Sequence, residues 1–184
     1  MRPRVGMSFV GRATTAILRP ATPENSTPAL SAKDSVAMID AAKPGEVGVI
    51  VVEGSLDLAG IGGLMATAAK SRGMAGILVD GGVRDLAEIR SLGLTLFARS
   101  VSPGSSVGRY ASVSRDIEVN CAGIKVRPGD IIVAGEDGVV VVPKEQEQSI
   151  LKRSQEIDDR ETKMVPFIKQ FKSLGETVRK FNRI

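Results

Sequence analysis

Residues 60–88 read GIGGLMATAAKSRGMAGILVDGGVRDLAE, and the order of elements in this stretch decides the fold. A glycine-rich turn is followed by a helix of small residues (Leu64 to Arg72), a short apolar strand (Ala75 to Val79) and the charged pair Arg84-Asp85. Gly73 stands where a helix most readily ends, at the left-handed C′ position. The unbroken apolar run AGILV, without polar alternation, suits a strand buried on both faces. Asp80-Gly81-Gly82 reads as a flexible turn after it. Arg84 and Asp85 are therefore expected where the carboxyl end of a strand opens on a cleft.

The same logic extends outward. Upstream, VGVIVV (47–52) is a second buried strand, and Ser31 to Lys43 reads as a helix stopped by Pro44-Gly45. VGMSFVGRATTAILRP (5–20) is strand-like and leads into the polar loop ATPENSTP. Downstream, Asp85 to Ser91 is a short helix ended by Gly93, and Leu94 to Ala98 is a third strand. Strand and helix alternation implies βαβ units with parallel strands, an α/β class. Arg99 to Asp116 (RSVSPGSSVGRYASVSRD) then reads as a long Ser/Gly-rich loop of functional interest. Short strands in IEVNCAGIKV, DIIVA and GVVVVP, separated by Gly-containing turns, predict antiparallel hairpins. A charged helix over about 144–163 and a second helix after Pro166 close the chain. There Met164, Phe167, Phe171, Leu174, Val178 and Phe181 form a 3-4 stripe, expected to pack on its own domain. The expected organisation is a domain over 1–145 and a C-terminal helical extension over 146–184.

Composition narrows the chemistry. The chain has 184 residues with one cysteine and no histidine. Histidine-based triads and imidazole zinc sites are thereby excluded within the chain. Any metal would be held by oxygen donors, which favours magnesium or manganese. A single cysteine, Cys121, and no apolar run of transmembrane length or secretory type lead to the expectation of a cytoplasmic protein. The net charge of +4 is carried by the ends: residues 1–20 hold four arginines and no acid, and 144–184 hold 10 basic against 7 acidic groups. Residues 21–143, with 11 basic and 14 acidic groups, are mildly acidic. Aromatic residues are 3% and do not interleave with the basic ones, so nucleic-acid binding is not expected.

Three constellations admit two readings each. Asp85 and Glu88 have the spacing of a helix N-cap and its N3 partner, with Arg84 pairing to Glu88 across the turn. Alternatively, a guanidinium beside a carboxylate at a strand end can hold a small anion and a divalent ion together. Gly60-Ile61-Gly62-Gly63 fails as a dinucleotide fingerprint at Met65 and stands eight residues beyond the preceding strand. It reads as an anion site built from the N–H groups of Gly62, Gly63, Leu64 and Met65, or as glycines that only permit close packing. Lys70 lies on the polar side of its helix and lacks the burial that a Schiff-base lysine needs.

The runs GGLMATAAKSRGMAGILVDGGVRD, FARSVSPGSS, VNCAGIKVRPGD and EDGVVVVP, in this order, closely resemble one family over about residues 9–145. It is the RraA-like family, which joins the regulator of ribonuclease E activity A with 4-hydroxy-4-methyl-2-oxoglutarate and 4-carboxy-4-hydroxy-2-oxoadipate aldolases. Its members are often mislabelled demethylmenaquinone methyltransferases. The resemblance implies a three-layer β/β/α swivelling-domain fold and a ring-shaped homotrimer or hexamer with sites between subunits. It further implies a class II lyase that releases pyruvate, with oxaloacetate decarboxylase activity alongside. Carried across, Gly62, Gly63, Leu64, Met65 and Arg84 bind the pyruvoyl end of a 2-oxo acid, Arg84 and Asp85 are catalytic, and Asp85 holds the divalent metal. Two departures stand out, Gly63 and Gly135, where the aldolases carry acids. They favour the family's other branch, a non-catalytic ring that binds a ribonuclease, whereas Asp85 favours the enzyme.

Overall fold

The computed structural model describes residues 1–181. In chain order these form β1 (Arg2–Val5), β2 (Phe9–Pro20), α1 (Pro28–Ser31), α2 (Lys33–Ala41), β3 (Val47–Val52), β4 (Ala59–Ile61) and α3 (Gly63–Ser71). There follow β5 (Gly76–Val83), α4 (Leu86–Leu92), β6 (Leu96–Val101), β7 (Tyr110–Arg115), β8 (Val119–Cys121) and β9 (Ile124–Val126). The series closes with β10 (Ile131–Gly135), β11 (Gly138–Val142), α5 (Glu147–Phe171) and α6 (Leu174–Phe181). Met1–Lys144 form one compact unit, and a second begins at Glu145.

In the first unit the main sheet runs β1-β6-β5-β3-β2-β10-β11. Its centre is parallel: β2 pairs with β3, β3 with β5, and β5 with β6. The margins are antiparallel, β1 on β6 and β10 between β2 and β11. The long β2 serves three partners. Phe9–Arg12 pair with β10, Ala13–Leu18 with β3, and Ala16–Pro20 with β7.

Alternation along the buried parallel strands divides the apolar residues between two faces. Ile50, Ile77 and Val79 join Met38, Ala66, Ala69 and Ile89 of the helices in one core. Val49, Val51 and Leu78 join Phe97, Val119, Val126 and Ile132 in the other. Helices, parallel sheet and a second β layer thus form the expected β/β/α arrangement. Phe9 and Phe97 meet edge to face in the second core, with ring centroids 5.3 Å apart.

Three expectations change. Asp80-Gly81-Gly82 is no turn: β5 runs on to Val83, buried throughout. A Cβ at Gly81 would lie 2.8 Å from Val52, and one at Gly82 would lie 2.9 Å from the Leu58 carbonyl. The glycines admit a close approach rather than flexibility. The second half of the supposed long loop is β7, an edge strand on β2 whose Ser-rich sequence suits a half-exposed position. Pro166 does not separate two helices, because α5 continues through it to Phe171. The break falls at Lys172, in the left-handed region with φ 52°. In the second unit the stripe folds on itself, with the Phe167 ring 5.7 Å from Phe171 and 5.3 Å from Phe181. Lys180 Nζ stands 3.8 Å above the Phe167 ring, a cation–π contact.

Candidate active site

Short β4 lays Ala59 and Ile61 beside Gly82 and Val83 of β5. This brings the start of α3 and the start of α4 side by side, though 22 residues separate Gly63 from Asp85. The Arg84 N–H donates to the Ile61 carbonyl at 3.2 Å and fixes the junction.

Asp85 occupies the N-cap position of α4 with φ 57° and ψ 37°, and its side chain caps nothing there. Asp is among the residues that tolerate the left-handed region. The turn aims its carboxylate across to α3, where Oδ2 accepts the Gly63 N–H at 2.9 Å. Arg84 Nε lies 3.5 Å from the same oxygen. The capping-box alternative is therefore not what forms: Arg84 pairs with Asp85 rather than Glu88, and Asp85 serves the neighbouring helix.

The glycines of the motif have a steric reason. A Cβ on Gly62 would lie 2.7 Å from Arg84 Nε and 2.8 Å from Asp85 Oδ2. A Cβ on Gly63 would fall on the Glu88 carboxyl group, 2.5 Å from Cδ. Arg84, Asp85 and Glu88 thus lie against bare backbone. In α3 the Gly63 N–H goes to Asp85, and the Ala66 N–H donates to the Gly62 carbonyl at 3.0 Å. The Leu64 and Met65 N–H groups belong to the first turn, which has no intrahelical acceptor, and they carry the positive end of the helix dipole.

These groups line a cavity of about 390 Å³. All six residues expected from the sequence, Gly62, Gly63, Leu64, Met65, Arg84 and Asp85, border it. Pro28 and Val36 also border it, as do Ser105, Ser106 and Val107 of the loop before β7. Sequence reasoning marked the loop by its length but offered no signal for Val36 or Pro28. Hydrogen bonds hold this wall. Ser31 Oγ lies 2.7 Å from Ser106 Oγ, the Ala59 N–H donates to the Gly104 carbonyl at 2.8 Å, and the Val107 N–H donates to Ser105 Oγ at 3.2 Å. A smaller cavity of about 250 Å³ flanks Arg84 and Asp85 on the side of Ser102 and Pro103.

Other candidates fall elsewhere. Gly135 faces Gly138 at the end of the β10–β11 hairpin and does not border the cavity. Lys70 Nζ donates to the Gly93 carbonyl at 3.0 Å and is exposed, which does not suit Schiff-base chemistry. Asp80 is paired with Arg99 at 3.1 Å and accepts the Ala122 N–H at 2.5 Å. Burial, and then the Asp80 charge, push the Cys121 thiol up to about 12, so it stays a neutral, unreactive group. Among the described residues no group of three or more His, Cys, Asp or Glu side chains is placed to hold a metal ion. No helix among them is long and apolar enough to cross a membrane.

Comparison with known proteins bears on the family and the fold. The family model described as "RraA-like: Aldolase/RraA" matches residues 1–141. A Halalkalibacterium halodurans protein named "Putative 4-hydroxy-4-methyl-2-oxoglutarate aldolase" is 35% identical over 124 residues, 66% of this chain and 59% of that protein. The chain spans less than two thirds of the length of the curated relatives it matches, between 56% and 64%. A solved structure of an uncharacterized protein from Pseudomonas syringae pv. tomato shares the fold, with a TM-score of 0.86 at 24% identity. That likeness covers 98% of this chain and 80% of the other. Streptomyces coelicolor RraAS2, described as an unusual member of the RNase ES inhibitor RraA protein family, matches with a TM-score of 0.75 at 28% identity. It covers 88% of this chain and 79% of that one.

Proposed function

The chain belongs to the RraA-like (Aldolase/RraA) family, and from that premise we propose that it is a divalent-metal-dependent lyase releasing pyruvate from a 4-hydroxy-2-oxo acid. The observation that carries this reading is the Arg84–Asp85 pair facing the first turn of α3 across one cavity. The aldolase name of relatives supports it. Substrates of the 4-hydroxy-4-methyl-2-oxoglutarate or 4-carboxy-4-hydroxy-2-oxoadipate type fit the chemistry, as does oxaloacetate.

The residues present fit a magnesium or manganese ion. Such ions take oxygen ligands, keep several waters and need only one or two carboxylates. Asp85 offers an exposed carboxylate whose Oδ2 is engaged by Gly63 and Arg84, leaving Oδ1 for the ion. When bound there, the ion would supply a Lewis acid beside the 2-oxo oxygen. Arg84 binds the C1 carboxylate with its guanidinium. The Leu64 and Met65 N–H groups stabilise negative charge as it develops on the 2-oxo group. Cleavage removes the C4 hydroxyl proton and breaks the C3–C4 bond. The electron pair passes to C3 as the enolate of pyruvate, C4 leaves as a carbonyl, and a proton returns to C3. Loss of carbon dioxide from oxaloacetate gives the same enolate, which makes decarboxylation a natural side activity. Leu64, apolar and 87% exposed beside this site, supports a ring-shaped homo-oligomer in which a neighbouring subunit covers it.

The test is pyruvate release from oxaloacetate and from 4-hydroxy-4-methyl-2-oxoglutarate, with magnesium and then with excess chelator. Chelator-sensitive release that Asp85→Ala abolishes is the expected result. Release that survives both treatments rejects the metal role. The second reading is a non-catalytic ring that binds a ribonuclease. Likeness to the Streptomyces RNase ES inhibitor family favours it, as does the absence of side chains at Gly63 and Gly135. Stoichiometric inhibition of a ribonuclease without any metal-dependent turnover would select it.

A further inference from the structure

We infer that Ser105 and Ser106 receive the second carboxylate of the substrate, the one carried on its C4 side, by donating their hydroxyl protons to it. This rests on the reading of the Arg84–Asp85 cleft given above and assigns residues to the other end of the same ligand.

The hydrogen bonds of the loop before β7 leave two donors unspent. A hydroxyl has one proton to give and two lone pairs with which to accept. Ser31 is fully buried, and Ser106 Oγ, 2.7 Å away, is the one partner of its Oγ among the described residues. Buried O–H groups are paired in native structures, so Ser31 donates and Ser106 accepts. The Ser106 proton then has no acceptor among the described residues, although Ser106 is only 8% exposed and borders the cavity. Ser105 stands in the same state. Its Oγ accepts the Val107 N–H at 3.2 Å, its own proton meets no acceptor among the described residues, and it too borders the cavity.

The loop holds these donors in place before a ligand arrives. Ser26, 1% exposed, donates through Oγ to the Tyr110 carbonyl at 2.5 Å and accepts the Arg109 N–H at 3.1 Å. The Arg109 and Tyr110 N–H groups donate to the Ser106 carbonyl at 3.0 and 2.8 Å. The Ala59 N–H of β4 ties the Gly104 carbonyl to the strand that leads into α3. All these bonds form within one chain. A neighbouring subunit that covers Leu64 leaves them intact and, by excluding water, strengthens what the two hydroxyls donate.

The two ends of the ligand are matched by different chemistry. Arg84 is the one cation that this chain's described residues place at the cavity, and its guanidinium is taken by the carboxylate beside the 2-oxo group. A second carboxylate has two acceptor oxygens and no proton, so two neighbouring hydroxyls with protons to give suit it. A hydrocarbon end in that position would leave both donors unpaired as the cavity closes, which is disfavoured.

The experiment is calorimetric binding to the whole 184-residue chain, in the assembly it forms, with magnesium present. The probes are pyruvate, 2-oxopentanoate and 2-oxoglutarate, which lack the 4-hydroxyl group and so resist retro-aldol cleavage. The last two have equal chain length and differ in the second carboxylate. Wild-type protein is expected to bind 2-oxoglutarate at least ~10-fold more tightly than 2-oxopentanoate, as hydrogen bonds to a charged group allow. Ser105→Ala, and Ser31→Ala combined with Ser106→Ala so that no buried hydroxyl is orphaned, are each expected to shrink that ratio by ~3-fold or more while pyruvate binding holds. Ser31→Ala alone removes a loop contact but neither donor, and is expected to keep the wild-type ratio. Equal wild-type binding of the two longer acids, or a ratio that survives both serine variants, overturns the inference; if Arg84→Ala still weakens every probe, the lyase reading stands. Parallel loss of pyruvate and 2-oxoglutarate binding in the serine variants makes the pair structural and overturns the inference as well. If no 2-oxo acid binds, or Arg84→Ala changes nothing, both readings are overturned.

Discussion

Replacing Asp85 by asparagine separates the chemical role of this residue from its structural one. In the fold Asp85 does three things: it occupies a left-handed backbone position, it accepts the Gly63 N–H at 2.9 Å, and it lies 3.5 Å from Arg84 Nε. Asparagine tolerates the same backbone region, and its amide oxygen can accept the same N–H. Only the ionic contact is lost, and with both side chains more than 40% exposed it contributes less than about 1 kcal/mol. Asp85→Asn should therefore lower the melting temperature by no more than about 4 °C. Asp85→Ala also loses the hydrogen bond and leaves a β-carbon residue in the left-handed region, together costing about 2–3 kcal/mol. Turnover should respond differently. Without the carboxylate charge the ion has no anionic protein ligand at this position, and pyruvate release should fall at least ~100-fold in both variants. Thermal unfolding and a dehydrogenase-coupled pyruvate assay read the two effects separately. An asparagine variant that keeps a tenth or more of wild-type turnover would refute the ionic role. One that unfolds easily and is inactive for that reason would make Asp85 a structural residue.

Gly62→Ala tests the close packing of the site: its Cβ would displace Arg84 Nε and Asp85 Oδ2, now 2.7 and 2.8 Å from that position. Turnover should drop by ~10-fold or more while the unfolding midpoint barely moves, and equal loss of both would reject the idea. Cys121 should react with iodoacetamide at pH 8 about 10³-fold more slowly in the native state than in denaturant, since its pKa stands near 12 against 9.0. The unfolded thiol loses its proton first as pH rises. The stability contributed by the neutral buried thiol is therefore complete below pH 9.0 and is lost as pH climbs toward 12. Cys121→Ala should flatten that part of the stability profile, as urea titrations across the range would reveal. Pro166 sits inside α5, where proline costs about 3 kcal/mol through a missing N–H and a clash with the preceding turn. Pro166→Ala should raise the helical circular dichroism and thermal resistance of the C-terminal unit, and no gain in either would argue that the helix has adapted around the ring.

Much of the architecture was legible because parallel strands buried on both faces leave continuous apolar runs, as VGVIVV and AGILV do. The helix ends at Gly73 and Gly93 were legible for a similarly local reason, since both glycines take positive φ, 71° and 64°. The misreadings also share a cause. Gly81 and Gly82 look like a turn in sequence, and only Val52 and Leu58, brought alongside by β3 and β4, make them strand residues. Tyr110–Arg115 lacks apolar alternation because it is an edge strand whose pairing comes from β2.

For the site, the sequence by itself determined the inventory: no imidazole, one guanidinium–carboxylate pair at a strand end, and a glycine-rich helix start. These are local facts, read from residue types and their spacing along one short stretch. It did not determine how Asp85 would be used, because Asp-x-x-Glu before a helix serves a cap and a ligand equally well. Tertiary structure decided that. β4 beside β5 sets the α3 start within hydrogen-bonding distance of Asp85, and the left-handed turn points the carboxylate there. The far wall was likewise beyond the sequence, since Val36 and Val107 come from segments with no spacing relation to Arg84. Local preference selects elements and their ends, whereas the faces that meet across a cavity depend on how the whole sheet brings those elements together.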